Sequence, residues 1–223
     1  MTPAEIEKLD SELMSWHASL PAVFIGVNEC PPQLRVTRGV LRWRFLTLRL
    51  TLYRPYVLIH SLQVYSQRET DKTEMSLVTT CRAIAKEVIE TIKLDWFPNQ
   101  ICAWNSVWYL FQACLVILLS VISEPDSDAR PEWDRTIRET VDMLHEMTAW
   151  SPGAARSREV ICFLYEAQGT KATSPAGENP SLFDFESSFW NFFDMDQLSA
   201  DTGWDQSLFP GMDAFGTAAW SLM

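Results

Sequence analysis

Apolar residues recur along most of this chain at alternating spacings of three and four, the period of an α-helix with one side turned inward. The densest stretch is residues 101–122, ICAWNSVWYLFQACLVILLSVI. One row runs Ile101, Trp104, Trp108, Phe111, Leu115, Leu118, Ile122, and a second runs Val107, Leu110, Cys114, Ile117, Val121. A helix apolar on two sides is a buried one. At 1.5 Å per residue it would be about 33 Å long, so other helices must cover it, and the stretch reads as the central core helix of an all-α domain. A transmembrane span of about 20 residues is the competing reading. Asn105, Ser106, Gln112 and Ser120 interrupt the stretch and no Lys or Arg cluster flanks it, so no membrane partner is expected.

Other helices follow from the same pattern. Thr2-Pro3-Ala4-Glu5 reads as a capping box with proline in the first turn, opening a surface helix to Ser19 with a stripe Ile6, Leu9, Leu13, Trp16, Leu20. Pro21 and Cys30-Pro31-Pro32 then mark an extended connection. Residues 34–54 carry two stripes, Leu41, Phe45, Leu48, Leu52 and Trp43, Leu46, Leu50, Tyr53, with a kink or restart expected at Pro55. Residues 70–94 predict an amphipathic helix whose Arg82, Lys86, Glu87, Glu90 and Lys93 stay in water. Pro98 is placed to open the central helix, and Glu124-Pro125-Asp126-Ser127-Asp128 to close it. A helix through Trp133, Ile137, Val141 and Leu144 is expected to reach Trp150 and break at Ser151-Pro152-Gly153. The last, over 155–167, should turn Val160, Phe163 and Leu164 inward.

Beyond Gln168 the periodicity stops. Residues 169–180 have the Gly, Ser, Thr, Pro and Ala of a flexible linker. The stretch from Gly169 onward holds eight acids, one base and ten aromatics, which is −7 of the chain's −11. Its aromatics are divided by carboxylates without a sustained period, so it lacks the means for a core of its own. It remains suited to fold onto an apolar groove rimmed with Lys or Arg, the composition of an acidic activation segment. Phe189, Trp190, Phe192, Phe193, Asp194 and Asp196 are the candidate coactivator contacts, with Trp190, Phe193 and Gln197 sharing one face of an induced helix. The layout expected is a helical domain over 1–168, a linker over 169–180 and a tail over 181–223.

Net charge argues against a whole surface built to hold nucleic acid. Residues 34–68 depart from it, with seven arginines and no acid, and Arg35, Arg38, Arg42 and Arg49 fall within about 60° of one another on the helix. They form either an anion seam or, the reading preferred, ion pairs with the chain's own acidic helices. Five widely spaced cysteines, Cys30, Cys81, Cys102, Cys114 and Cys162, read as reduced, buried thiols of an intracellular protein and have no metal-ligand spacing. His17, His60 and His145 lack a metal-binding partner at i+4, and neither Gly-x-Ser-x-Gly nor a glycine-rich phosphate loop is present, so no enzyme is expected. His145 with Asp142 and Glu146 reads as a surface charge cluster.

The run LRLTLYRPY at 48–56, the amphipathic helix after it, and residues 104–120 followed by Glu124-Pro125 together resemble the middle homology region of fungal zinc-cluster transcription factors. The resemblance extends over about residues 10–167. It implies a helical regulatory domain, a nuclear location, and a coactivator partner for the tail. DNA contact would come only through an N-terminal six-cysteine zinc cluster. That cluster's closely spaced cysteines are not in this sequence, so no residue here inherits the zinc or DNA-reading role. The expectation is a fragment or shortened form, or a natural form without a DNA reader, with no cofactor in this chain. The resemblance also implies a small-molecule effector, for which Asn105, Trp108 and Gln112 are the candidate pocket residues, although a filled core with two satisfied amides is the preferred account of them. A homodimer is a further partner expectation.

Overall fold

The computed structural model describes residues 2–25, 30–66 and 71–171. The expected tail 181–223, with Phe189, Trp190, Phe192, Phe193, Asp194 and Asp196, lies outside the described residues, as does the linker after Lys171. Among the described residues there are seven α-helices and no strand: α1 Pro3–Ala18, α2 Ala22–Ile25, α3 Arg35–Tyr65, α4 Lys72–Asp95, α5 Gln100–Ser123, α6 Arg130–Met147 and α7 Pro152–Lys171, with a 3-10 turn at Pro32–Leu34 before α3. The fold is all-α.

Local chemistry sets the helix starts. In α1 the Thr2 backbone N–H donates to Glu5 Oε2 at 2.6 Å and the Glu5 N–H donates back to Thr2 Oγ1 at 3.3 Å, completing the capping box. Asp71 caps α4, accepting from the Thr73 N–H. The cap of α5 is Asn99, whose Oδ1 accepts from the Ile101 and Cys102 N–H groups at 3.0 and 3.2 Å. Pro98 precedes that cap and is not itself the first residue of the helix.

Helix α5 is the core element. Leu110, Phe111, Ala113, Cys114, Val116, Ile117, Leu118 and Val121 are all buried, each large side chain contributing about 1.5–3 kcal/mol on leaving water. The helix is long and apolar enough to cross a membrane by length and composition, and 78% of that apolar window is buried inside the protein. Its first row is less covered than the periodicity implied. Ile101, Trp104, Trp108 and Ile122 are 59%, 63%, 42% and 46% exposed. Helices α3, α4, α6 and α7 pack around the remaining circumference.

α3 runs beside α5 in the same direction, since Arg44, Arg54 and His60 meet Tyr109, Gln112 and Glu124 in that order. It runs against α4, with Arg42 at Asp95 and Gln63 at Glu74. Of the kink or restart expected at Pro55, the restart does not occur. α3 is one 31-residue helix with Pro55 inside it. Thr51 and Pro55 are both exposed, so the Thr51 carbonyl that loses its helical donor lies on the solvent side of α3, where proline is tolerated.

Other expectations are corrected by which side of a helix its neighbours cover. In α1 only Ile6 is buried, while Leu9 and Trp16 are 38% and 43% exposed. Leu48 of α3 is 54% exposed. α6 ends at Met147 rather than Trp150, and Pro152 and Gly153, read as breakers, form the first turn of α7. Proline suits a first turn because its missing N–H has no helical partner there. Along α7 the buried residues are Ala154, Ser157 and Ile161, whereas Phe163, expected inside, is 71% exposed.

Candidate functional site

The resemblance-bearing run at 48–56 sits in the middle of α3, at the junction of α1, α3 and α5. Arg49 grips Asp10 of α1 with both nitrogens, Nε to Oδ1 at 2.6 Å and Nη2 to Oδ2 at 3.0 Å, and Tyr53 Oη donates to Oδ2 at 2.9 Å. Burial alone would raise the Asp10 pKa, but the hydrogen bonds from Arg49 and Tyr53 outweigh it and hold the carboxyl below its ordinary value. The Tyr53 phenol is pushed up to about 12, first by burial and then by its bond to Asp10. On the other side of the run, Arg54 Nη1 donates to Gln112 Oε1 of α5, and desolvation lowers the Arg54 pKa from its ordinary value. The run therefore ties three helices together through side chains that are apolar along most of their length and polar at the tip.

The four arginines of the expected seam are separated by their partners. Arg42 Nη1 lies 2.6 Å from Asp95 Oδ2, and Arg49 is held by Asp10. The Arg35 guanidinium stands 4.2 Å from the centroid of the Phe97 ring. Arg38 is half-buried on the first turns of α3. Two of the four are thus committed to the chain's own carboxylates, and a third to an aromatic face.

Asn105, Trp108 and Gln112 lie along α5 in different surroundings. Asn105 is buried and its Nδ2 donates to the Ile101 carbonyl at 2.9 Å, Gln112 is buried against Arg54, and Trp108 is 42% exposed. A shallow cavity of about 200 Å³ lies elsewhere, between α6 and α7, lined by Ile137, Arg138, Val141, Asp142, Cys162, Tyr165 and Glu166.

The cluster that sequence reasoning missed is centred on Glu124, the C-cap of α5. His60 Nε2 of α3 stands 2.7 Å from Glu124 Oε1, and Arg82 Nη2 of α4 donates to the same oxygen. Arg82 Nε donates to Ser120 Oγ at 2.9 Å, and its guanidinium lies 4.9 Å from the centroid of the Trp133 ring of α6. Arg82, expected in water, is only 14% exposed along its side chain, and His60 only 4%. Burial pushes the Glu124 pKa up, and the hydrogen bonds from Arg82 and His60 more than reverse this, leaving it below the ordinary value. One signal was readable: His60 continues the buried phase Trp43, Leu46, Leu50, Tyr53, Val57 of α3.

Cys81, Cys102 and Cys114 are buried, and burial pushes the Cys81 and Cys114 thiols up to about 12. Cys30 and Cys162, expected to be buried as well, are half-buried. Among the described residues no group of three or more His, Cys, Asp or Glu side chains is placed to hold a metal ion. No family model, no curated protein and no solved structure matches the chain.

Proposed function

We propose that this chain is a transcription regulator, comprising the regulatory and activating portions of a zinc-cluster-type factor, and that it works in the nucleus by recruiting a coactivator. The observation that carries the reading is the segment from Gly169 onward, where ten aromatics are interleaved with eight carboxylates against one lysine. Carboxylates keep such aromatics hydrated and apart, and a partner's apolar groove rimmed by cations gains both the apolar burial and the charge pairing. Phe189, Trp190, Phe192 and Phe193 are the anchors of this contact, with Asp194 and Asp196 on its rim. The helical body supports the reading through the 48–56 run, whose Arg49, Tyr53 and Arg54 have a definite structural task in joining α1, α3 and α5. No residue of 1–223 is assigned a DNA-contacting or a catalytic role.

A second reading, a helical interaction module with no link to DNA, is favoured by the exposed apolar residues of α3 and α5. The two are separated by tethering the full chain to an unrelated DNA-binding domain and measuring a reporter gene. The proposal expects transcription well above that of the DNA-binding domain alone. An inert fusion that is expressed, folded and nuclear refutes it.

A further inference from the structure

Helix α1 is seated on the body differently from α4 and α5. Its buried and half-buried residues are Pro3, Ile6, Asp10, Leu13 and His17, with Leu20 just past its end, and they follow one another at spacings of 3, 4, 3, 4 and 3. Every other residue from Thr2 to Ser19 is exposed. A core helix buries a broad stripe, as α4 does with nine buried residues, whereas a single 3,4 row is the footprint of a helical peptide laid in a groove. The groove has a definite chemistry. Ile6 fills one end and is 1% exposed. In the middle, Arg49 and Tyr53 of α3 aim three donors at the one Asp10 carboxylate. At the other end the Phe45 ring stacks on the His17 imidazole, centroids 4.0 Å apart.

We infer that this groove is an exchangeable docking site, that α1 is its resident occupant, and that an acidic amphipathic helix of another protein takes its place. A bidentate arginine and a phenol select a carboxylate over a neutral group, so charge and not apolarity alone chooses the occupant. What α1 presents defines the partner helix: an aliphatic side chain, an Asp four residues later, and a flat ring seven residues after that. Exchange requires α1 to leave without the core. The narrow row allows this, because one fully buried side chain, one carboxylate and one ring stack hold its 16 residues in place, while the buried faces of α4 and α5 are not part of its seat. This partner is distinct from the coactivator assigned to the segment after Gly169.

Fluorescence anisotropy of a labelled peptide with the sequence of residues 2–20 tests this on the full chain, wild-type and Asp10→Asn. The substitution weakens the resident helix and frees the groove, so the peptide should bind the Asp10→Asn chain at least about 10-fold more tightly than the wild type. A peptide that itself carries Asp10→Asn should bind at least about 10-fold more weakly than the parent peptide, because it lacks the charge that Arg49 and Tyr53 share. Far-UV circular dichroism checks that the variant chain is folded. If it is not, the wild-type chain carries the test: excess peptide should raise hydrogen exchange over Pro3–Ala18 and leave α5 unchanged, and no rise there overturns the inference. It is likewise overturned if the peptide fails to bind a folded Asp10→Asn chain, if it binds both chains equally, or if the two peptides bind alike. A wild-type chain that doubles its 25.6 kDa mass in sedimentation velocity, with the doubling lost on deleting residues 2–20, gives the groove to the α1 of a second copy and also overturns it.

Discussion

Replacing Glu124 with Gln keeps the volume of the side chain and removes the charge on which α3, α4 and α5 converge. Arg82 and His60, 14% and 4% exposed, would then share the oxygen of a neutral amide, a weaker acceptor than the carboxylate oxygen on which both now converge. A hydrogen bond to a charged partner is worth about 1.5–3 kcal/mol, and two share this carboxylate. Glu124 keeps 26% of its side chain in water, which pulls the net toward the lower end, about 2–3 kcal/mol. For a folded unit of this size that is a drop in Tm of about 4–12 °C. The assay is urea unfolding at pH 7 in a double-mutant cycle with Arg82→Met, expected to return a coupling of about 1–2 kcal/mol. The pH dependence has a defined sign. Because the folded pKa lies below the ordinary 4.5, the contribution of Glu124 is fully present above that value and is lost as pH falls through the lower, folded one. Stability of the Gln variant should therefore fall less steeply below pH 4.5. Single-variant losses under about 0.5 kcal/mol with no coupling would refute the view of Glu124 as the joint of three helices.

Phe111→Ala, at a site 1% exposed, should cost about 3–5 kcal/mol, while Trp104→Ala at 63% exposed should cost under about 1, both read by chemical denaturation. Asp10→Asn should loosen α1 selectively, so hydrogen exchange rises over Pro3–Ala18 with little change in α5. The Asp10 contribution fades as pH drops below its ordinary 3.8. Thiol labelling at pH 8 should modify Cys30 and Cys162 in native protein and reach Cys81, Cys102 and Cys114 only on unfolding.

The helices of the body are legible in the sequence because apolar period and caps are local. Thr2 with Glu5 fixes the start of α1, and the apolar faces of α4 and α5 define those helices to within a residue or two of their observed ends. What period does not carry is which arc a neighbour covers. Trp104 and Trp108 belong to the same row as Phe111 and Leu115, yet only the latter two are buried. Arg82 was assigned to water because it is charged, but its long apolar stem lets it reach inward to a carboxylate 42 residues away. Residues 152–153 looked like a break because proline and glycine punctuate chains, while proline is equally at home in a first helical turn, which is its place in α7. Among the candidate site residues, the arginines of α3 were visible as a group, but the carboxylates that divide them are set by tertiary packing.

The central claim, activation through aromatic anchors after Gly169, is tested most directly by the tethered reporter with three variants compared at equal protein level. Trp190→Ala with Phe193→Ala should remove about 90% or more of the activity, since anchors of this kind carry most of an interface's free energy. Trp190→Leu with Phe193→Leu should retain a substantial part of it, and Asp194→Asn with Asp196→Asn should lose less than the alanine pair. Activity that survives the alanine pair intact, or falls equally with all three, would contradict the account.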